Sequence, residues 1–210
     1  MARSRTRIPG LPLAIVLGGV LFGLSSVAAA QGAPGFRLGI GGGAVFPIED
    51  QSDVYETGWD ATLMLIWNFG DSPFGIRLDG SYSQLETKEV LIPFFGDGNT
   101  RIIDGTFDFV IGPHIGRFVQ PYILGGVGGY DLRFHGQEID TGDVFSNSTT
   151  RFGWNAGTGI AFRLGDTTNA HLFIEGRYTS ISVDTDLFTN SIHTDGRRFT
   201  TVTLNTGVIF

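Results

Sequence analysis

The histidines are the first place to look for chemistry, because imidazole titrates near neutrality and is the commonest metal ligand. His114, His135, His171 and His193 fall on four separate segments. None stands in H-E-x-x-H or a comparable ligand spacing, so no metal site is expected. Ser191, His193, Thr194 and Asp195 share one polar stretch, the composition of a rim-located hydrolase site and equally of a solvated loop. No nucleophile–base geometry follows from it, and no catalytic residue is assigned. Asp184-x-Asp186 lacks the remaining ligands of a calcium loop. Gly39-x-Gly41-Gly42-Gly43 is not a nucleotide fingerprint, because no helix follows it. No cofactor is expected. What remains is a set of charges at alternate positions, Arg37, Arg77, Arg133, Arg163 and Arg177 against Asp60, Asp79, Asp104, Asp108, Asp131 and Glu175. These 5 basic and 6 acidic groups sum to −1. All the bases are Arg, whose forked guanidinium suits enclosed carboxylate pairs. The chemistry this composition supports is mutual neutralisation in a confined space, since each group would be costly if buried alone.

Alternating charges need alternating elements. Trp59 to Phe69 is apolar at every odd position, with Asp60, Thr62 and Asn68 between. Period-two runs of this kind predict strands over Phe36–Phe46, Trp59–Phe69, Phe74–Ser83, Ile103–Ile115, Tyr122–Phe134, Phe152–Leu164, His171–Ser180 and Arg198–Phe210. Each is near the ~9–11 residues that a tilted strand needs to cross a bilayer. Within Tyr122–Phe134 the pattern sets Leu124, Tyr130 and Leu132 on one face, with Asp131 and Arg133 on the other. The links alternate as well. Phe69–Phe74, Gly116–Pro121 and Gly165–Ala170 are turn-like, whereas Pro47–Thr57, Gln84–Ile102, His135–Thr150 and Ile181–Arg197 are long and polar. An antiparallel meander whose ends face different compartments has this order.

Composition narrows the class further. The chain has 210 residues, 32 of them Gly, with 41% hydrophobic and 17% charged residues and no Cys. Disulfide scaffolds and wholesale disorder are excluded, and the net charge of −7 argues against a nucleic-acid partner. Arg3, Arg5 and Arg7 precede an uncharged stretch from Leu11 to Leu24, and Ala28-Ala29-Ala30 follows as a small-residue cleavage site. Residues 1–30 are therefore expected to be a signal peptide cut after Ala30, with Ala28 and Ala30 as the recognised positions. Residues 31–210 form the mature domain.

Two arrangements fit the alternation. In a soluble barrel, such as a lipocalin-like binder, the apolar face points inward; in a membrane barrel it meets lipid while the polar face lines the bore. Aromatic residues gather at both strand ends, with Phe46, Trp59, Tyr82, Tyr130, Phe134 and Trp154 towards the long links. Phe36, Trp67, Phe69, Phe74, Tyr122, Phe162 and Phe210 lie towards the short turns, so that two girdles match two bilayer interfaces. Glycine crowds the polar face at Gly39, Gly41, Gly43, Gly125, Gly129, Gly153, Gly157 and Gly159. An exposed strand face gains nothing from that, whereas a narrow bore filled by Arg needs small neighbours. The expectation is an all-β, eight-stranded antiparallel up-and-down transmembrane barrel.

These residues resemble the small outer-membrane β-barrels of Gram-negative bacteria, the family of the OmpA transmembrane domain and OmpX. The resemblance covers Phe36–Phe210 and includes the terminal Phe210 with outward Val202, Leu204 and Val208, a series that Thr206 interrupts. It implies a C-terminal signal read by the barrel-assembly machinery, passage with periplasmic chaperones, and residence among outer-membrane lipid and lipopolysaccharide. Turns would lie inside the cell and long loops outside. The expected function is non-enzymatic: a closed, charge-filled lumen with a structural or surface-interaction role. A narrow ion or solute channel is the alternative, and a rim-located lipid A or peptide hydrolase comes third. The apolar run Val90–Phe95 inside the second long link would serve as a contact surface.

Overall fold

The computed structural model describes residues 35–70, 72–88, 98–112, 118–137, 144–165, 168–183 and 197–210. Eight strands follow one another as β1 (Phe36–Pro47), β2 (Gly58–Asn68), β3 (Phe74–Glu86), β4 (Gly98–Ile111), β5 (Val119–Gln137), β6 (Val144–Arg163), β7 (His171–Val183) and β8 (Arg197–Ile209), with a short 3-10 helix at Glu49–Asp53. Each strand pairs with its sequence neighbours, and β8 returns to β1 through a register running from Gly39↔Ile209 to Pro47↔Thr201. The sheet is thus a closed barrel without a free edge through its body, which is what a backbone surrounded by hydrocarbon requires.

The apolar face points outward. Leu63 is 61% exposed and Phe109 62%, with Trp67, Leu78, Phe107, Ile160, Ile174 and Leu204 also on the exterior. Arg77, Asp79, Asp108 and Glu175 are buried. Aromatic side chains gird the outer wall near both ends. Phe36 stacks on Trp67 at 5.3 Å, while Trp59 meets Tyr82 at 5.2 Å and Trp154 meets Tyr178 at 5.3 Å. Leu63→Arg, in the middle of β2, is expected to cost about 2–4 kcal/mol in lipid vesicles. On a water-facing sheet the same change would fall within about 0.5 kcal/mol, and urea titration of the inserted protein separates the two cases.

Three sequence expectations need correction. On β5 the even positions face inward, so Leu124, Tyr130 and Leu132 are buried while Ile123 and Val127 are exposed. Asp131 and Arg133 consequently stand on the outer wall and bond to each other at 2.7 Å. Gly125 and Gly129 also face outward, and Gly126 and Gly128 line the interior against Asp108 and Thr106. Tyr122 and Tyr130 leave the expected girdles for the bore. The physical reason lies in the surroundings at the long-loop end. Past the hydrocarbon the exterior is polar, so apolar side chains gain by turning inward. Val45, Leu85, Ile102, Tyr130, Leu132, Ile181 and Phe199 do so and form a core within the barrel.

Strand ends differ too. β4 spans Gly98–Ile111 instead of 103–115, and β5 and β6 run to Gln137 and from Val144. The third long link is therefore mostly strand. The first long link is tied down on both sides. Ile48 N donates to Thr200 O at 3.1 Å, and Gln51 Nε2 to Arg198 O at 2.7 Å. Lys88 N donates to Val54 O at 2.9 Å, and the Tyr55 ring lies 5.9 Å from that of Phe199.

Candidate functional site: a charge cluster across the bore

Period two puts Arg77 and Asp79 on one face of β3, and Glu175 and Arg177 on one face of β7. In a ring of eight strands those two are four apart, as far as the ring allows. The cluster therefore spans the diameter. Arg77 Nη1 and Nη2 donate to Glu175 Oε2 and Oε1 at 2.6 and 2.9 Å, while its Nε donates to Asp79 Oδ1 at 2.7 Å. Arg177 Nη2 bridges Asp79 Oδ2 at 2.5 Å and Glu175 Oε1 at 3.0 Å, and its Nη1 lies 3.5 Å from Asp108. Tyr122 Oη, inward on β5, donates to Glu175 Oε2 at 2.8 Å. A bidentate guanidinium–carboxylate fork satisfies both groups out of water, which a lone charge there could not do.

The neighbouring acids are held by neutral donors. Ser83 Oγ and Asn205 Nδ2 donate to Asp60 at 2.8 and 2.7 Å, Ser81 Oγ donates to Asp104, and Thr106 Oγ1 donates to Asp108 at 3.0 Å. Glycines open the room for these side chains. A Cβ at Gly159 would lie 2.4 Å from the Tyr122 ring, and one at Gly153 would lie 2.8 Å from that of Tyr130. The cluster divides two cavities. One towards the short turns touches Arg37, Asn68, Gln120 and Tyr122; one beyond it touches Asp60, Asp104 and Tyr130; Arg77 lines both.

Of the residues the sequence singled out, Arg77, Asp79, Asp108, Glu175 and Arg177 meet directly, and Asp60 and Asp104 flank them in the same bore. Arg37 and Arg163 lie inside at the short-turn end. Arg37 Nη2 reaches Asn169 O at 3.3 Å and His171 Nδ1, and Arg163 Nε reaches Thr168 O at 3.3 Å. His171 is buried there beside Gln120. Asp131 and Arg133 join neither group. Val202, Leu204 and Val208 share the outward parity of β8, with Asn205 and Ile209 buried on the opposite parity. Arg3, Arg5, Arg7, Ala28, Ala30, Val90–Phe95, His114, Asp184, Asp186, Ser191, His193 and Asp195 lie outside the described residues. Among the described residues, no group of His, Cys, Asp or Glu is arranged to hold a metal ion. Tyr122, Ser83 and Asn205 were missed by the sequence reading. For Ser83 and Asn205 the only signal was their place on the polar face, since nothing in residue type marks a Ser or Asn as a carboxylate donor; Tyr122 stood on the opposite parity to Asp131 and Arg133 and read as a girdle residue.

A closed eight-stranded barrel, greasy outside and ion-paired within, is a transmembrane barrel of the outer-membrane kind. The sequence matches the outer membrane protein beta-barrel domain over residues 15–210. The chain belongs to that family, and its place is the cell outer membrane. Solved structures agree on the fold. Neisserial surface protein A (NspA) is 17% identical, with 85% of this chain and 97% of that one covered and a TM-score of 0.54. A major outer membrane protein from Thermus thermophilus is 12% identical, with 83% and 98% covered and a TM-score of 0.53. No curated protein matches the chain.

Proposed function

We propose that the protein is a non-enzymatic outer-membrane barrel with a sealed lumen, and that its four long connections face the exterior and make its surface interactions. The Arg77–Glu175 fork carries this reading, because it crosses the widest span of the bore with both partners buried. An eight-stranded interior is only wide enough for side chains to fill, and here they are locked by several charge-assisted bonds each. Export would use residues 1–30, with cleavage after Ala30 and periplasmic chaperones in transit. Outward Val202, Leu204 and Val208, together with Phe210, would form the signal for the barrel-assembly machinery.

Planar-bilayer recording tests the seal. The wild type is expected to show no stable openings, and Arg77→Ala combined with Glu175→Ala is expected to give discrete steps by joining the two cavities. Large, stable openings in the wild type would defeat the proposal. A narrow ion channel is the second reading, favoured by one observation: both cavities touch Arg77, so rearranging a single side chain would connect them. Small, brief steps in the wild type would support that reading over the first.

A further inference from the structure

The outer wall carries a second arginine constellation, unrelated to the bore. Arg101 on β4 lies between Thr100 and Ile102, both buried inside, so its own side chain takes the outward parity that it shares with exposed Ile103. Its cross-strand partner on β5 is outward Arg133, and on β3 it is Gln84. Like charges directly opposite one another on a sheet repel. Arg101 Nε is moreover shielded from solvent without any hydrogen-bond acceptor, an arrangement that costs stability unless an acceptor is supplied. Arg133 commits its Nε to Asp131 at 2.7 Å, which fixes the plane of its guanidinium and leaves the terminal nitrogens outside that bond; its side chain stays 49% exposed. Glu86 lies two pairs further along, opposite Asn99, and so is diagonal to Arg101.

Height on the wall decides what the anion is. The exposed apolar residues of β4 end at Ile103, and β6 presents Phe152 opposite Gly129, below Arg133. Arg101 stands two residues past Ile103, about 7 Å along the strand. That is the depth of lipid headgroups just beyond the hydrocarbon. We propose that Arg101 and Arg133 form a clamp for a phosphate group on the sugar headgroup of the outer-leaflet glycolipid, with Asp131 orienting Arg133. Guanidinium forks match phosphate oxygens bidentately, and one phosphate neutralises the facing pair. The inference rests on the proposed outward direction of the long loops. Its readout is lipid retention, so it stands or falls apart from the conductance result.

The test is native mass spectrometry of the full-length mature protein released from phosphatidylcholine nanodiscs. These are doped with bisphosphorylated lipid A or with its dephosphorylated form. The wild type is expected to retain the phosphorylated lipid about tenfold better, as charged hydrogen bonds warrant. Arg101→Gln with Arg133→Gln is expected to abolish that preference while keeping the heat-modifiable gel mobility of a folded barrel. Equal retention of the two lipids by the wild type would overturn the proposal, as would an unchanged preference in the double variant. Loss of retention on adding millimolar inorganic phosphate would also overturn it, by showing a small-anion site instead of a lipid site. If the double variant fails to fold, the comparison of the two lipids on the wild type still decides.

Discussion

Glu175→Gln is expected to lower stability in phosphatidylcholine vesicles by about 3–5 kcal/mol, the cost of removing one partner from a buried ion pair. Glu175 is 3% exposed. It accepts from Arg77 at 2.6 and 2.9 Å, from Arg177 at 3.0 Å and from Tyr122 at 2.8 Å. Glutamine keeps the shape but turns one acceptor into an N–H donor aimed at a guanidinium. Arg77 and Arg177 would then share Asp79, with Asp108 further off. A second change, Arg77→Met, is expected to recover part of the loss, because the stranded charge goes with it. Asp131→Asn makes the contrast. It breaks a pair of similar length, 2.7 Å, on the exposed wall, where ion pairs contribute at most about 1 kcal/mol. Urea midpoints followed by tryptophan fluorescence would measure all three. A Glu175→Gln loss below about 1 kcal/mol would mean that the bore is hydrated, and the sealed-lumen reading would fall with it.

The gap between those two carboxylates also shows what the sequence could convey. Asp79 sits in a run where polar and apolar residues alternate cleanly, and Glu175, Arg177 and Thr179 share one parity opposite Ile174 and Tyr178 despite the apolar Phe173, so parity placed both carboxylates inside without any knowledge of the fold. Asp131 sits level with Ile103, where hydrocarbon gives way to headgroups, on a strand whose Gly125-Gly126 and Gly128-Gly129 pairs blur parity. The rule that charge goes inward holds only where the exterior is lipid. At that height the exterior is polar, and Tyr130 and Leu132 take the interior instead. Strand order and closure were legible for a different reason. Turn lengths fix which strands are neighbours, and a meander of eight can satisfy every backbone group in a membrane by closing on itself. The diametric pairing was not legible, because which rung of β3 meets which rung of β7 depends on barrel stagger, and no local pattern encodes it. Nor was the clamp of Arg101 and Arg133. Arg101 lay in what read as a loop, so its opposition to Arg133 appeared only once β4 was seen to begin at Gly98.

Phe173→Ala is expected to cost about 3–5 kcal/mol, as for a large aromatic ring removed from a packed core. The position looks improbable for such an effect, since Leu172-Phe173-Ile174 is apolar throughout and the bore is nominally polar. Yet Phe173 is 0% exposed and points inward two residues before Glu175, among Met64, Ile66, Ala161 and Ile209. It forms the apolar floor beneath the charge cluster. Its ring fills space left open by glycine on two neighbouring strands: a Cβ at Gly41 would lie 2.6 Å from the ring, and one at Gly207 would lie 2.8 Å away. Removing the ring leaves a void beside residues that already line the short-turn cavity, namely Ile66, Ala161 and Ile209. Water entering there would reach Glu175 and weaken the fork, which puts the loss towards the upper end of that range. Gly41→Ala supplies the internal check. In the wild type its Cβ collides with the ring and is expected to destabilise; in the Phe173→Ala background that collision is gone, only the 3.0 Å approach to Thr206 O remains, and the added methyl fills part of the void. The two changes together should therefore cost less than the sum of their separate effects. If Gly41→Ala is neutral in the wild type and the changes simply add, the ring does not occupy the bore, and the insulating layer that keeps the ion pairs dry is absent.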